Sequence, residues 1–364
     1  MKVGILTHYN VNNQGAQLQM YALTNFLKQN GYDIDILTYK KNYDFDLSKG
    51  KRNQISLRSI PYVFKEFLIK KGLFLTVFNT KKYLKNKKFR KQNFNFKFYN
   101  NSDLSAIVIG SDEVLSLELG CNFMMYGHGC LANNIIYYAP SFGQTDITRI
   151  EKYNYLDLIK SGVEKVNYLS GRDANTCSIL EKLSGEEVKI VCDPVLLYDF
   201  SQTSTKIKKI NKKYMILYGY DKNFNDEKEI FEVKKFAKEK GYKIISVGTY
   251  HKWCDVNITC NCLEWLEYFK YAEFIITDTF HGTIASLINN KPLIVKTRSI
   301  NNNKLEGILN QFEIGYIEID EITKENIETI YNNNINYTMF NEKLEIIRKN
   351  SSQYLLGALK NECK

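Results

Sequence analysis

Short apolar runs alternate along the chain with longer stretches in which apolar residues recur every three or four positions, the pattern of strands alternating with helices. Val3–Thr7 reads as a strand. Ala16–Gln29 reads as a helix, with Leu18, Tyr21, Ala22 and Phe26 on one face and Gly31 to end it. Ile34–Tyr39, Ala106–Ile109, Ile135–Ala139, Val166–Leu169 and Lys189–Cys192 are the next strands, with a helix over Asp173–Leu183. The polar stretch Asp199–Lys213 has neither period and reads as a linker. Beyond it the alternation restarts, with strands at Tyr214–Tyr218, Tyr242–Val247, Phe274–Thr277 and Leu293–Lys296. Helices are expected over Asp226–Glu239, Glu264–Tyr271, Gly282–Asn290, Lys304–Gln311, Lys324–Asn333 and Asn341–Lys360.

Two such sets predict an α/β protein with two doubly wound, Rossmann-like domains built on parallel sheets. The chain's 364 residues are comfortable for two domains. The expected division is 1–205, 206–340, and a last helix in 341–364 that crosses back to the first domain. Ligands collect at the carboxyl ends of the strands in such sheets, so the site is expected in the cleft between the halves.

Charge changes this picture in one place. Residues 51–98 hold fourteen Lys or Arg and one acid, Glu66, and the rest of the chain is close to balanced. The basic residues are interleaved with Phe64, Phe67, Leu68, Leu73 and Phe74. This reads either as a basic amphipathic surface for an anionic membrane or as a solvated helical excursion over the sheet. No recognised nucleic-acid module accompanies it, so a nucleic-acid partner is not expected. The first apolar stretch, Val3–Leu6, is too short for a signal peptide, and no charge-free run reaches the ~18 residues of a membrane span. The expected location is cytoplasmic, and on the first of these readings the protein is peripheral at the inner face of the membrane through 51–98. His251, Cys254, Cys260 and Cys262 lie within twelve residues, but C-x5-C-x-C is not a usual zinc spacing, and no metal is expected.

Four strand ends carry candidate chemistry. In His8–Gln17, Gly15 allows close approach of a ligand, and Asn12, Asn13 and Gln17 offer neutral donors and acceptors at a helix start. A simple helix cap is the alternative. In Ile109–Leu115, Ser111 and Asp112 follow an apolar strand, where Asp112 is placed to orient a hydroxyl or accept its proton, or else to form an Asx turn. In Ser170–Asp173, Arg172 offers a planar fork for a phosphate or carboxylate, and Asp173 suits the cap of the next helix. In Phe274–Gly282 the strand ends in Asp278, and His281 opens a helix whose dipole favours the neutral ring until an anion binds. Lys296 and Arg298, one strand later, are candidates to close an anion pocket with Arg172.

Together these blocks resemble the polysaccharide pyruvyl transferase family. The resemblance rests on NNQGAQLQMYAL near the start, GSDEVL at 110–115, YAPSFG at 138–143, SGRD and DP at 170–173 and 193–194, and ITDTFHG at 276–282. In the second block the family commonly has Gln and Trp where Glu113 and Leu115 stand, and the residue at Gly171 is commonly larger. The resemblance implies a glycosyltransferase-B-like fold. It also implies transfer of a pyruvyl group from phosphoenolpyruvate to two hydroxyls of a sugar in a cell-surface polysaccharide such as a capsule, or in its lipid-linked precursor. Phosphoenolpyruvate is then a substrate and no cofactor is required. His281 and Asp112 become the acid and base, and Arg172, Lys296, Arg298 and Gly282 lie on the donor side. Asn12, Asn13, Gly15, Gln17 and Ser111 lie on the acceptor side. Two other readings remain open, a nucleotide-sugar-dependent glycosyltransferase of the same fold and a non-catalytic glycan-binding protein.

Overall fold

The computed structural model describes residues 1–40, 72–100, 103–297, 302–333 and 335–361. Arg298 and the first part of the basic segment, 51–71, lie outside the described residues. The first half is a parallel sheet of β1 (Lys2–Leu6), β2 (Asp33–Thr38), β3 (Phe96–Phe98), β4 (Ala106–Ile109) and β5 (Asn134–Tyr137) in the order β3-β2-β1-β4-β5. Val3 pairs with Ile34 on one side and with Ala106 on the other, so β1 is central. A small ladder joins β6 (Ser170–Gly171) to β7 (Lys189–Ile190).

The second half contains β8 (Tyr214–Tyr218), β9 (Lys243–Val247), β10 (Val256–Ile258), β11 (Phe274–Thr277), β12 (Leu293–Lys296) and β13 (Glu318–Ile319), in the order β10-β9-β8-β11-β12-β13. The halves therefore repeat one topology, 3-2-1-4-5 and 3-2-1-4-5-6, and each has its switch point between its first and fourth strands. This is the glycosyltransferase-B-like arrangement of two Rossmann-like units. The continuous apolar runs explain it. Strands β4, β5, β8, β11 and β12 are buried along their whole length, as strands covered by helices on both faces must be.

The helices are α1 (Gln14–Gln29), α2 (Leu73–Asn93), α3 (Ile147–Lys152), α4 (Leu156–Val163), α5 (Ala174–Ser184) and α6 (Pro194–Leu197) in the first half. They continue as α7 (Glu227–Lys240), α8 (Cys262–Lys270), α9 (Phe280–Ile288), α10 (Asn302–Gln311), α11 (Lys324–Asn332) and α12 (Tyr337–Lys360). Polar caps set several starts: Asn13 opens α1, Asp173 opens α5 and Thr279 opens α9 through side-chain acceptors. The polar stretch after α6 has no regular structure. Helix α12 spans both halves. Phe340 near its start stacks on Phe312 at 4.4 Å, whereas near its end Tyr354 donates to the Tyr137 carbonyl at 3.0 Å and Asn134 donates to the Ala358 carbonyl at 2.9 Å.

The expected strand Val166–Leu169 is corrected. Val166 still closes the turn after α4 by donating to the Val163 carbonyl, and Tyr168 makes only an isolated bridge with Ile136. The cysteine cluster is core: Cys254, Cys260 and Cys262 are buried, and burial pushes their thiols up. The described part of the basic segment is mostly one helix, α2, packed across the top of the cleft.

Candidate active site

A cavity of about 490 Å³ lies between the halves. Both switch points open into it. His8, Asn12 and Asn13 come from the turn after β1, and Asp112 and Glu113 from the turn after β4. Across from them stand Gly219 and Tyr220 after β8, and Asp278 to His281 after β11. Arg172 enters from the end of β6, and Leu75, Asn79 and Lys82 of α2 form the roof.

At one edge of the cavity three side chains meet around a buried carboxylate. Asp193 has no exposed side-chain surface and caps α6 by accepting the Val195 N–H at 2.9 Å. Its Oδ2 accepts from Gln19, lies 3.2 Å from an Arg172 guanidinium nitrogen, and lies 3.7 Å from His281 Nε2. Burial alone would push this carboxyl up, but the His281 ring and the Arg172 charge outweigh it and hold the carboxyl below the usual range. The same Arg172 nitrogen is 4.0 Å from Asp112, and the guanidinium lies 4.5 Å over the Phe280 ring.

His281 is held from both halves. Thr279 caps its helix by accepting the Gly282 N–H at 3.0 Å. Its Nε2 is buried against Asp193 without a hydrogen bond, at ion-pair distance only. On the other side of the ring lies Gly15 of α1, where a Cβ would come within 2.3 Å of the ring Cγ and 2.5 Å of Nδ1. The helix-dipole expectation for this ring is therefore incomplete, because it leaves out Asp193 and Arg172, which belong to the same cluster.

Asp112 sits at φ +78, an uncommon conformation for a residue with a Cβ. The preceding Gly110–Ser111 peptide is cis. Ser111 is buried behind it, with its Oγ taking a bond from Gln19 at 2.6 Å and its carbonyl taking one from Thr7 at 3.0 Å. Gln19 thus links Ser111 and Asp193, and so ties the two strand ends together.

The structure gathers His281, Asp112, Arg172, Asn12 and Asn13 around one cavity. The other candidates among the described residues do not line it. Gly15 faces the His281 ring, and Gln17 is fully buried and donates to the Val11 carbonyl at 3.0 Å. Gly282 is packed against Thr277 and Thr279, and Ser111 supports Asp112 from behind. Lys296 is turned away from the cavity into a buried pair with Glu229 and toward the Asn223 carbonyl. Its strand is one place beyond the switch point, where α7 covers the end.

Sequence reasoning gave Asp193, Gln19 and Lys82 no role in the cleft, although Asp193 stood in one of the family-like blocks and Lys82 in the basic segment. Asp193 followed by a proline at the end of an apolar run was a readable signal. Lys82 shares a helix face with the buried Phe78, Asn86 and Phe89, at intervals of about one turn. Gln19 carried no signal, since its partners lie 92 and 174 residues away.

The polysaccharide pyruvyl transferase family matches the chain over residues 13–299. No curated protein is significantly similar in sequence. Among solved structures, UDP-GlcNAc 2-epimerase from Neisseria meningitidis bound to UDP-GlcNAc is similar at 10% identity and a TM-score of 0.51, covering 99% of this chain and 100% of that one. UDP-GlcNAc 2-epimerase from Methanocaldococcus jannaschii matches at 12% identity and a TM-score of 0.48, covering 96% and 99%. The spinosyn rhamnosyltransferase SpnG matches at 10% identity and a TM-score of 0.46, covering 99% and 100%. At these identities the likeness is one of fold.

Proposed function

The chain belongs to the polysaccharide pyruvyl transferase family. On that premise we propose that it moves the pyruvyl group of phosphoenolpyruvate onto two hydroxyls of one sugar, in a cell-surface polysaccharide or its lipid-linked precursor. The products are a cyclic ketal and phosphate. The observation that carries this reading is the meeting of Asp112, Arg172, Asp193 and His281 where both switch points open into one cavity.

In this scheme Arg172 positions an anionic group of the donor. The His281 imidazole gives a proton to the methylene carbon of phosphoenolpyruvate, so that the adjacent carbon takes up a sugar oxygen. Asp193, 3.7 Å from Nε2, stabilises the protonated ring, and Gly15 leaves room for it against α1. Asp112 accepts the proton of the attacking hydroxyl. The second hydroxyl then displaces phosphate, its proton passing to the departing phosphate, and closes the ring. Asn12 and Asn13 offer hydrogen bonds to the acceptor. Positioning of donor and acceptor supplies much of the rate.

Among the described residues no helix is long and apolar enough to cross a membrane. Lys81, Lys87 and Lys88 on the exposed face of α2 suit contact with anionic lipid, where a lipid-linked acceptor would be met. The test of the reaction is incubation of the protein with phosphoenolpyruvate and candidate glycans in deuterated water. Phosphate release with deuterium in the new methyl group is expected. Transfer from a nucleotide-sugar, with release of nucleotide and none from phosphoenolpyruvate, would replace this reading with that of a glycosyltransferase.

A further inference from the structure

The cations around the cavity are unequally committed. The Arg172 guanidinium is shared between Asp193 at 3.2 Å and Asp112 at 4.0 Å, so its charge is largely answered within the protein. Asp278, also in the wall, is fully buried, and Glu113 adds a further acid. A phosphate dianion entering this cavity needs a cation that is not already paired.

Lys82 is that cation among the described residues. It lies midway along α2, which is docked on both halves. Asn86 bonds to Asn12, Arg90 donates to the Val11 carbonyl at 3.0 Å, Lys85 pairs with Glu264 at 3.0 Å, and Phe78 meets Tyr250 edge to face at 5.5 Å. Lys82 Nζ donates one bond, to the Gly248 carbonyl at 2.7 Å, and no carboxylate of the described residues pairs with it. An ammonium has three donors, so two remain for a ligand. Burial pushes the Lys82 ammonium down to about 8, an energetic cost that a bound anion would recover.

We infer that Lys82, carried across from the basic segment on α2, is a phosphate-binding residue of this cavity. The inference rests on the proposed function only for the identity of the phosphate, as that of phosphoenolpyruvate. It gives part of the basic segment a role inside the cleft, where the sequence suggested only a membrane-facing or solvated surface.

Calorimetric titration of the full chain with phosphoenolpyruvate and, separately, with inorganic phosphate tests it. Lys82→Met, Lys82→Arg and Lys85→Ala are the variants, with the melting curve of each as a check on folding. Lys82→Met should weaken both ligands by about 10- to 100-fold at pH 7, the loss expected for a charged hydrogen bond. Lys82→Arg should restore most of it, and Lys85→Ala should leave it unchanged. Anion binding favours the ammonium, so wild-type affinity for the dianion should fall as pH rises above about 8. Lys82→Met should show no such fall, and Lys82→Arg should move it beyond pH 10. Equal affinity of wild type and Lys82→Met overturns the inference while leaving the reaction standing. Loss of phosphate binding in Lys82→Met, with no wild-type binding of phosphoenolpyruvate, keeps the inference and removes that donor. A wild type that binds neither ligand overturns it.

Discussion

Arg172 and Lys296 present themselves alike in the sequence, each as a cation at the carboxyl end of an apolar strand. The folded chain treats them differently. Arg172 reaches the cavity and is balanced there by Asp112 and Asp193. Lys296 is turned into a buried pair with Glu229 from α7. The difference lies in what each meets. Arg172 ends β6 beside the end of β5 and lies against Asp112 and Asp193 at the edge of the cavity, whereas Lys296 ends β12 and is taken up by Glu229 of α7. A strand-end cation faces a ligand only where no neighbouring helix supplies a carboxylate that draws it away.

The sharpest test of this division is at His281, the residue that both halves hold. His281→Asn should cut turnover about 10²- to 10⁴-fold, the usual contribution of a general acid, while donor affinity stays within a few-fold. Near-normal turnover would make His281 a helix-start residue and move the acid elsewhere. Lys296→Met comes next. It should destabilise the fold by about 3–5 kcal/mol in a denaturant titration, because Glu229 is left buried and unpaired, and phosphoenolpyruvate affinity should not change. A fall in affinity with stability intact would return Lys296 to the site. Arg172→Ala should weaken donor binding by about 1.5–3 kcal/mol by calorimetry. If affinity is unaffected, the guanidinium serves only to balance Asp112 and Asp193, and the two cations are alike after all.

The sequence disclosed the repeated α/β order because every central strand is a buried apolar run, and such runs are local. Ala106–Ile109, Tyr214–Tyr218, Phe274–Thr277 and Leu293–Lys296 are read to the residue. It also pointed to the cleft for His281 and Asp112, which line the cavity, since each comes a few residues after such a run. It did not disclose the partners that make the cluster. Asp193 meets His281 across 88 positions of chain, and Gln19 acts only because α1 brings it beneath two strand ends at once. Lys82 was visible as charge, but its direction depends on how α2 docks, and its net basic character pointed outward. Gly15 was read as leaving room for a ligand, but what approaches it is the ring of His281.

That contact makes positions 15 and 281 a single unit of variation. A methyl group at 15 would lie 2.3 Å from the imidazole, so the helix that opens the first half cannot change there while the ring at 281 stays where it is. The two substitutions are epistatic by geometry. A chain that gave up the histidine would regain freedom at position 15, and a side chain at 15 would mark a descendant in which the imidazole has moved or gone.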